Sequence, residues 1–347
     1  MNTHQLLKIQ SVDRLTPSAV AISFELPSAL AADYAFKAGQ YLSLEAKIDG
    51  EVVRRSYSLC SAPHENVLKV GVKKVQKGLF SSFANEVLKV GDSLGVAPPE
   101  GRFVYVPKGG DKEILLVAAG SGITPVLSIL KTILEKQRTT VIQLVYGNKT
   151  PEEVMFKAEI DALEKAYADR FKVVWVYSQS NVRDSLFGRI DESVINFALN
   201  QHDNLPQQSF LCGPETMIET AKACLIKATI AAENIHFELF TSVSSQAAAE
   251  THSNEEVTLS IVADGDEHQI ETTGNKTLLD AALQQKIDVP YSCQGGVCCS
   301  CIARITAGAA KMENNQILTD EEVEEGLILT CQAFPTTSAI TVDYDDV

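Results

Sequence analysis

The sequence lacks a long apolar run. No stretch of eighteen consecutive apolar residues occurs among its 347 residues, and the first ten residues contain no apolar region of the signal-peptide type. A membrane-spanning helix needs about 20 predominantly apolar residues, and a signal peptide has an apolar region of about 7 to 15. We therefore expect a cytoplasmic protein that is neither exported nor inserted into a membrane.

Basic residues are scarce in the last quarter of the chain. From Glu255 onward there are 17 Asp and Glu but only 4 Lys and Arg, so this segment carries most of the net charge of −15. An acidic surface disfavours nucleic acid, whose phosphates require positive charge. The acidity is either an ordinary solvated surface or a surface that steers an electron carrier towards a basic partner.

The six histidines form no cluster with metal-ligand spacing, but the cysteines do. Cys293, Cys298 and Cys301 follow the spacing C-x4-C-x2-C, and Cys331 comes thirty residues later. This spacing is typical of a [2Fe–2S] cluster, in which each iron takes two thiolates. A zinc site, which favours paired C-x2-C knuckles, and disulfides, which need an oxidising compartment, are the alternatives.

Two further features of this loop bear on the cluster. Gly295 and Gly296 allow the backbone to pass close to inorganic sulfides, where a Cβ would obstruct it. Cys299 lies between two of the proposed ligands, and we interpret it as a small buried side chain, with ligand exchange as the alternative.

The chain is longer than one core usually organises, and its pattern changes along its length. Residues 1–108 contain short strands punctuated by Gly and Pro, which predicts an antiparallel β-barrel. Residues 109–240 alternate apolar strands with helices, which predicts an α/β domain with a parallel sheet. Residues 241–256 are small and polar and predict a flexible linker before the cysteine-bearing domain at 257–347.

The predicted elements have simple sequence signals. Strands are predicted at 19–26, 41–47, 55–60, 68–74, 93–97, 114–119, 141–146, 173–177 and 209–211, a hairpin at 257–262 and 268–272, and helices after Ile123, Glu152, Asp191 and Glu215 and at 278–285.

Two glycine turns follow apolar strands of the middle domain. The segment 120–125, Gly-Ser-Gly-Ile-Thr-Pro, opens a helix whose free N–H groups can hold a pyrophosphate. Cys212-Gly213-Pro214 opens a second helix at what should be the same edge of the sheet, where ligands of such folds bind. Either glycine turn could instead be a tight turn that binds no ligand. Two such turns at the same edge of the sheet indicate one cleft.

Five motifs occur in the order seen in the ferredoxin–NADP reductase superfamily, to which residues 1–240 are similar. They are Arg55-Ser56-Tyr57-Ser58, Gly78-Leu79-Phe80-Ser81-Ser82, the turn at 120–125, Cys212-Gly213-Pro214 and Glu238-Leu239-Phe240. The last ninety or so residues resemble a plant-type ferredoxin, with Pro290-Tyr291-Ser292-Cys293 and Leu329-Thr330-Cys331-Gln332 around the cysteines. The resemblance implies a multidomain fold with an FAD-binding barrel, a nucleotide-binding α/β domain and a β-grasp ferredoxin domain.

The resemblance also implies roles for individual residues. Arg55 and Ser56-Tyr57-Ser58 would bind FAD, with Ser58 near its N5, and Gly78, Ser81 and Ser82 would lie at its pyrophosphate. Gly120, Gly122, Thr124 and Pro125 would shape the site for NADH or NADPH, and Cys212 with Gly213 would lie beside the nicotinamide. Phe240 would lie near the flavin, so that Ser58, Cys212 and Phe240 form the catalytic group.

The resemblance implies a reductase that passes electrons from NAD(P)H through FAD and the cluster to a separate oxygenase. Phosphate-selective members carry a Ser-Arg pair where this chain has Ser178-Gln179, which favours NADH, although Arg183 and Arg189 could compensate. The acceptor could instead be a Rieske oxygenase, a diiron hydroxylase or a soluble redox protein. An iron–sulfur redox sensor is the alternative from another class.

Overall fold

The computed structural model describes residues 4–107, 109–110, 112–201, 204–240, 254–291 and 293–347. The chain divides into two compact units. The larger contains residues 4–53 and 57–240, and the smaller contains residues 254–347 with 54–56. Within the described ranges, no helix has the length and apolar character needed to cross a bilayer. Most of the predicted linker, residues 241–253, lies outside the described residues.

The first sheet is antiparallel and has six strands. Their order is β4-β3-β6-β1-β2-β5, and an isolated bridge between Leu59, just after β4, and Val70 in β5 joins the two ends of the sheet. The predicted antiparallel barrel is therefore confirmed. The strands are β1 (Gln5–Thr16), β2 (Ala19–Glu25), β3 (Tyr41–Ile48), β4 (Glu51–Ser58), β5 (Leu68–Lys73) and β6 (Ser93–Val96), and helix α1 (Leu79–Glu86) follows β5.

The second sheet is parallel in every pairing and has the order β10-β9-β8-β7-β11-β12. Its strands are mostly continuous apolar runs, as expected where helices cover a parallel sheet. The strands are β7 (Glu113–Ala119), β8 (Val141–Asn148), β9 (Phe171–Tyr177), β10 (Leu186–Phe187), β11 (Gln208–Gly213) and β12 (Ile235–Leu239). The helices are α2 (Ile123–Lys136), α3 (Lys157–Ala166), α4 (Glu192–Leu199) and α5 (Glu215–Lys227).

Helix α2 lies in the core that the barrel and the parallel sheet share. Every residue from Ile123 to Leu134 is buried, as expected for a helix with packed neighbours all round. Its Ser128 Oγ donates to the Ser61 carbonyl at 2.6 Å, and Lys131 Nζ lies 2.9 Å from Glu65 and 2.7 Å from Glu159. These bonds fix α2, and with it the turn that precedes it, relative to the barrel.

The smaller unit contains a five-stranded sheet of order β14-β13-β19-β15-β17. The central pair β13 and β19 is parallel, and the other pairings are antiparallel, which is the β-grasp arrangement expected from the sequence. The elements are β13 (Glu256–Ala263), β14 (Asp266–Thr273), α6 (Leu278–Gln284), β15 (Ile302–Ala307), β16 (Ala310–Met312), α7 (Asp320–Glu324), β17 (Leu327–Leu329), β18 (Ala333–Pro335) and β19 (Ala339–Asp343).

Candidate active site and iron–sulfur centre

The two glycine turns meet at the carboxyl end of the parallel sheet, because β7 and β11 are neighbours. Gly122 packs directly on the second turn: a Cβ there would collide with the Cys212 carbonyl and lie 2.9 Å from the Gly213 nitrogen. Only glycine permits this approach. The two turns therefore lie together at one edge of the sheet, as expected, and their role as one ligand-binding cleft stays a prediction.

The first turn is shaped by hydrogen bonds from its own surroundings. Gly120 has a left-handed φ of 56°, and its carbonyl accepts a bond of 3.0 Å from the Tyr146 hydroxyl. Thr124 Oγ1 donates to the Ser121 carbonyl at 3.0 Å, so the Thr124 hydroxyl bonds to the backbone of the turn itself. Thr124 and Pro125 are both buried and hold the turn in shape. The N–H of Ile123, the first residue of α2, bonds back to the carbonyls of Gly120 and Ser121, and Pro125 has no N–H, so any free donors for an anion lie in the turn itself.

The space around Gly120 also fits a phosphate-bearing ligand. The nearest atom to a Cβ at this position would be Lys73 Nζ, 4.0 Å away. That ammonium lies 3.5 Å from the Glu153 carboxylate. An open position beside a cation and the start of a helix has the chemistry of a pyrophosphate site.

The end of β4 presents the Arg-Ser-Tyr-Ser motif. Ser58 is buried, and Ser56 and Tyr57 are half-buried. The Tyr57 ring packs on Phe80 with centroids 5.4 Å apart and planes tilted by 37°. Arg55 is exposed, and its Nη1 donates to the Arg54 carbonyl. A half-buried aromatic ring and an exposed guanidinium suit a planar ring and a phosphate respectively.

Ser58, Glu238 and Cys212 come together where the barrel meets the parallel sheet. Ser58 Oγ donates to Glu238 Oε2 at 3.3 Å, and the register of β11 and β12 pairs Cys212 with Glu238. Glu238 as a whole residue is half-buried, but its carboxylate group is buried. This burial raises the pKa of Glu238 to about 8, against the lowering effect of the bond from Ser58.

Cys212 is fully buried, and its thiol stays protonated over the ordinary pH range. Burial raises the pKa of the Cys212 thiol well above its usual value, and the neighbouring Glu238 charge adds to this effect. Phe240 follows β12, and its N–H donates to the Gly213 carbonyl at 3.2 Å. Its partly buried ring packs against the core of the parallel sheet. Ser58, Cys212 and Phe240 therefore belong to one region of the larger unit.

Sequence reasoning did not select Glu238 as a site residue. The only available signal was its position two residues before Phe240 in the motif Glu238-Leu239-Phe240. Its contact with Ser58 depends on the pairing of β11 with β12 and on the position of the barrel. Neither can be seen in the local pattern.

The Gly78 turn before α1 is held by its own serine. Ser81 Oγ accepts from the Val75 N–H at 3.2 Å and donates to the Gly78 carbonyl at 3.3 Å. Ser81 is buried, and a Cβ on Gly78 would collide with its hydroxyl. Ser82 is half-buried, and its N–H bonds back to the Gly78 carbonyl at 3.0 Å. The hydroxyl of Ser81 thus fixes the turn.

The segment expected to select the nucleotide follows β9. The N–H groups of Ser178 and Gln179 donate to the carbonyls of Asn148 and Lys149 at 3.0 and 2.9 Å. The Arg183 side chain is 94% exposed and lies 3.7 Å from the Asp184 carboxylate. Arg189 is exposed as well.

The four predicted cluster ligands converge in the smaller unit. Cys298, Cys301 and Cys331 are buried, and Cys293 is half-buried. Hydrogen bonds from the thiols of Cys298 and Cys331 hold the pKa of Cys293 far below its usual value, and a bond from Cys331 lowers the pKa of Cys301. The thiols that donate, Cys298 and Cys331, have raised pKa values for the same reason.

This donor set fits a [2Fe–2S] cluster. Among the described residues, no three or more His, Cys, Asp or Glu side chains are placed to hold a single metal ion. A [2Fe–2S] cluster needs only two thiolates at each iron, and four converging thiols meet that requirement. All eight cysteines of the chain are free. Cys299 packs against the hydrophobic core of the unit, and Ser292 of the upstream motif lies outside the described residues.

Three family models match the chain in the order expected. They are an oxidoreductase FAD-binding domain at residues 6–105, an oxidoreductase NAD-binding domain at residues 116–223 and a 2Fe-2S iron-sulfur cluster binding domain at residues 261–336. The three cofactors predicted from the sequence, FAD, NAD(P)H and [2Fe–2S], are thereby supported.

Similar proteins match this chain over nearly its whole length. A 1,2-phenylacetyl-CoA epoxidase subunit from Escherichia coli K12 is 35% identical, over 99% of each chain. The ferredoxin reductase component of 3-ketosteroid-9-alpha-monooxygenase from Rhodococcus rhodochrous is 33% identical, over 98% of this chain and 96% of the relative. The solved structure of phthalate dioxygenase reductase has the same fold, with a TM-score of 0.64 at 23% identity and 98% of each chain covered.

The chain belongs to the ferredoxin–NADP reductase family, in the branch with a C-terminal [2Fe–2S] domain. It is an oxidoreductase that uses NAD(P)H, FAD and a [2Fe–2S] cluster, of the kind that forms the reductase component of oxygenases.

Proposed function

We propose that the chain delivers electrons from NADH to a separate oxygenase, and that hydride transfer occurs beside Ser58, Cys212, Glu238 and Phe240. The observation that carries this proposal is the contact of Ser58 with Glu238, the cross-strand partner of Cys212. When bound, FAD accepts a hydride from the nicotinamide, and the [2Fe–2S] cluster carries electrons singly. The protein supplies binding, orientation and electrostatics around them.

The barrel residues bind FAD in this proposal. Arg55 neutralises the pyrophosphate with an exposed guanidinium, which suits phosphate better than an ammonium does. Tyr57, backed by Phe80, packs on the flavin ring, and the Ser58 hydroxyl lies near its reactive nitrogen. Ser56 and the turn at Gly78, Ser81 and Ser82 complete the FAD site.

The parallel sheet binds the nicotinamide nucleotide. Gly120, Gly122, Thr124 and Pro125 form the turn that receives its pyrophosphate, where Gly122 keeps the turn against the Cys212 carbonyl. Cys212 and Gly213 lie beside the nicotinamide ring, and the neutral Cys212 thiol adds no charge there. Without a guanidinium at Gln179, the site lacks the group best suited to a 2′-phosphate, which favours NADH over NADPH.

In the smaller unit, Cys293, Cys298, Cys301 and Cys331 hold the cluster. In this proposal the chain is organised as an FAD domain at 1–108, a nucleotide domain at 109–240, a linker at 241–256 and a ferredoxin domain at 257–347, whose first strand begins one residue earlier, at Glu256. A reducing cytoplasm keeps the eight cysteines free for this use.

The proposed electron acceptor is the oxygenase of a phenylacetyl-CoA epoxidase. The full-length similarity to the Escherichia coli epoxidase protein supports it, and the sequence resemblance predicts the same partner. The acidic last domain would meet a basic surface on that oxygenase. A Rieske or diiron oxygenase of another pathway is the second candidate, since relatives of similar identity serve other monooxygenases.

An anaerobic titration of the purified protein with NADH and then NADPH tests the reductase. Bleaching of the flavin absorption together with the EPR signal of a reduced cluster is the expected result with NADH. A flavin that neither nucleotide reduces would overturn the proposal and favour a redox sensor. Reconstitution with a purified phenylacetyl-CoA epoxidase oxygenase tests the partner. Electron delivery should slow as salt rises while flavin reduction does not, because salt screens surface charges.

A further inference from the structure

The loop that carries the first three cluster cysteines is held from one side by residues 313–316 and Gln332. Strands β16 and β18 pair Met312 with Ala333, and the Glu313 N–H donates to the Gln332 carbonyl at 3.0 Å. This bond continues the pairing one step beyond the strands. The two segments therefore form one continuous wall beside the loop.

Residues of the wall donate hydrogen bonds to three consecutive carbonyls of the loop. The Gln294 carbonyl accepts from Gln332 Nε2 at 3.1 Å, and the Gly295 carbonyl accepts from Asn314 Nδ2 at 2.8 Å. The Gly296 carbonyl accepts from the Gln316 N–H at 3.1 Å. Gln316 Nε2 also donates to Asn314 Oδ1 at 3.2 Å, which leaves the Asn314 amide oriented with its nitrogen towards the loop.

Each capped carbonyl determines where the next N–H points. In a planar trans peptide the C=O and the N–H point in opposite directions, and none of the described peptides is cis. With the Gln294 and Gly296 carbonyls directed to the wall, the N–H groups of the same two peptides, those of Gly295 and Val297, point away from it, towards the cysteines. The Gly295 N–H donates to Cys293 Sγ at 3.3 Å, and the Val297 N–H bonds to the same thiol.

The loop cannot easily take another shape while the wall is in place. Gln294 and Gly296 have left-handed φ angles of 55° and 73°. A Cβ on Gly296 would lie 2.7 Å from the Asn314 carbonyl oxygen, so the wall itself requires glycine here. A left-handed Gln294 costs free energy, and the bond from Gln332 offsets part of that cost.

We propose that Gln332 is a positioning residue that sets the reduction potential of the cluster by aiming the Gly295 N–H at the Cys293 sulfur and its own amide N–H at the Cys331 sulfur, 3.9 Å away. The proposal rests on Cys293 being a cluster ligand. An N–H dipole directed at a ligand sulfur stabilises the more negative, reduced cluster, and such bonds are among the determinants of the potential. Loss of the Gln332 amide donor therefore lowers the potential.

The test uses the full-length holoprotein with Gln332→Met, which keeps the approximate size but removes the donor. An EPR-monitored redox titration measures the cluster, and the flavin absorption measures the flavin. The variant should shift the equilibrium about tenfold away from the reduced cluster, which corresponds to about 59 mV for one electron. The flavin potential should not change.

Asn315→Ala is the matched control. Asn315 bonds to Ile317 and Leu318 within its own turn and not to the loop carbonyls, so its loss should leave the potential unchanged. EPR detects only molecules that carry a cluster, so the potential is measurable even when loading falls. An unchanged potential in Gln332→Met, or an equal fall in Asn315→Ala, would overturn the proposal. Absence of any cluster from the wild-type protein would instead refute the ligand assignment.

Discussion

Ser58 and Glu238 are 180 positions apart in the chain and are joined by a hydrogen bond of 3.3 Å from Oγ to Oε2. Ser58 ends β4 of the barrel, and Glu238 lies in the last strand of the parallel sheet. The bond therefore connects the proposed flavin site to the proposed nicotinamide site. It also places a carboxyl group with a pKa of about 8 at the proposed site of hydride transfer.

The titration of Glu238 predicts the pH dependence of flavin reduction. Below pH 8 the carboxyl is protonated and neutral, because burial raises its pKa to about 8. Above pH 8 it becomes an anion and opposes the negative charge that arrives with the hydride. The rate of flavin reduction by NADH, followed by stopped flow from pH 6 to 9.5, should fall through about pH 8.

Glu238→Gln should remove this transition and give a nearly constant rate, since the amide does not titrate. Glu192→Gln is the control, because that carboxylate pairs with Lys227 in an exposed ion pair of the parallel-sheet domain. It should keep the wild-type profile. A transition near pH 8 that persists in Glu238→Gln would assign the titration to another group.

The stability of the protein should depend on Glu238 in the same pH range. The pKa of Glu238 is raised in the folded state from an ordinary value of 4.5. The contribution of Glu238 to the free energy of unfolding is therefore fully present below pH 4.5 and is lost as pH rises towards 8. The difference in free energy of unfolding between Glu238→Gln and wild type should therefore grow in favour of the variant from pH 5 to 8. Urea unfolding at a series of pH values measures it. A constant difference would contradict the raised pKa.

Gly122→Ala should separate the two glycine turns. Its Cβ would collide with the Cys212 carbonyl, which is backbone and cannot rotate away. Overpacking of this kind costs about 1 to 3 kcal/mol, and displacement of the turn should weaken NADH binding more than it affects FAD content. Unfolding by urea and NADH titration measure the two effects. Gly109→Ala is the control, since a Cβ there has no neighbour within 4 Å, and wild-type NADH binding in Gly122→Ala would contradict the proposed turn.

Lys131→Met should destabilise the larger unit. The Lys131 side chain is 9% exposed, and its ammonium bridges Glu65 and Glu159. Burial acts to lower the pKa of Lys131, but the two carboxylates outweigh it and leave that pKa raised. Loss of one partner of a buried ion pair lowers the free energy of unfolding by about 3 to 5 kcal/mol. For Lys131→Met we expect a loss at the low end of this range, because the two carboxylates are partly exposed. Urea unfolding of the variant tests this prediction.

The triple variant Lys131→Met, Glu65→Gln and Glu159→Gln distinguishes a lost ion pair from a packing defect. It leaves no unpaired charge and should recover most of the lost free energy of unfolding. A triple variant as unstable as Lys131→Met would assign the effect to packing around α2.

The sequence predicted those strands and helices whose pattern of apolar residues is contained within the element itself. Strands β2, β3, β5 and β7 and the hairpin of β13 and β14 are marked by continuous or alternating apolar residues. The longest strand of the barrel, β1, was not predicted. Its register shifts near Ile9 and Arg14 interrupt the alternation of buried and exposed residues, so the pattern that identifies a strand is broken twice.

The candidate site was predictable in its motifs but not in its contacts. The cluster cysteines and the glycine turns have fixed spacings, which follow from the chemistry of the ligand that they bind. Strand β12 was missed, and with it the pairing that places Glu238 beside Cys212. Gly296 also has a second reason to be glycine that the local sequence does not show, because a Cβ there would meet the Asn314 backbone. Such contacts depend on distant segments and leave no local pattern.

Cys331→Ser should abolish the cluster but not the flavin reaction. Cys331 contacts the thiols of Cys293 and Cys301, and a serine hydroxyl is a poor ligand for iron that prefers thiolate. The purified variant should lose the visible absorption and EPR signal of the cluster, while NADH still reduces its flavin, because Ser58, Glu238 and Cys212 lie in the larger unit. Cys299→Ser is the matched control and should retain the cluster, since Cys299 packs in the core. If Cys299→Ser also lost the cluster, Cys299 would have to be a ligand, and if flavin reduction failed in Cys331→Ser, the two units would not act as separate modules.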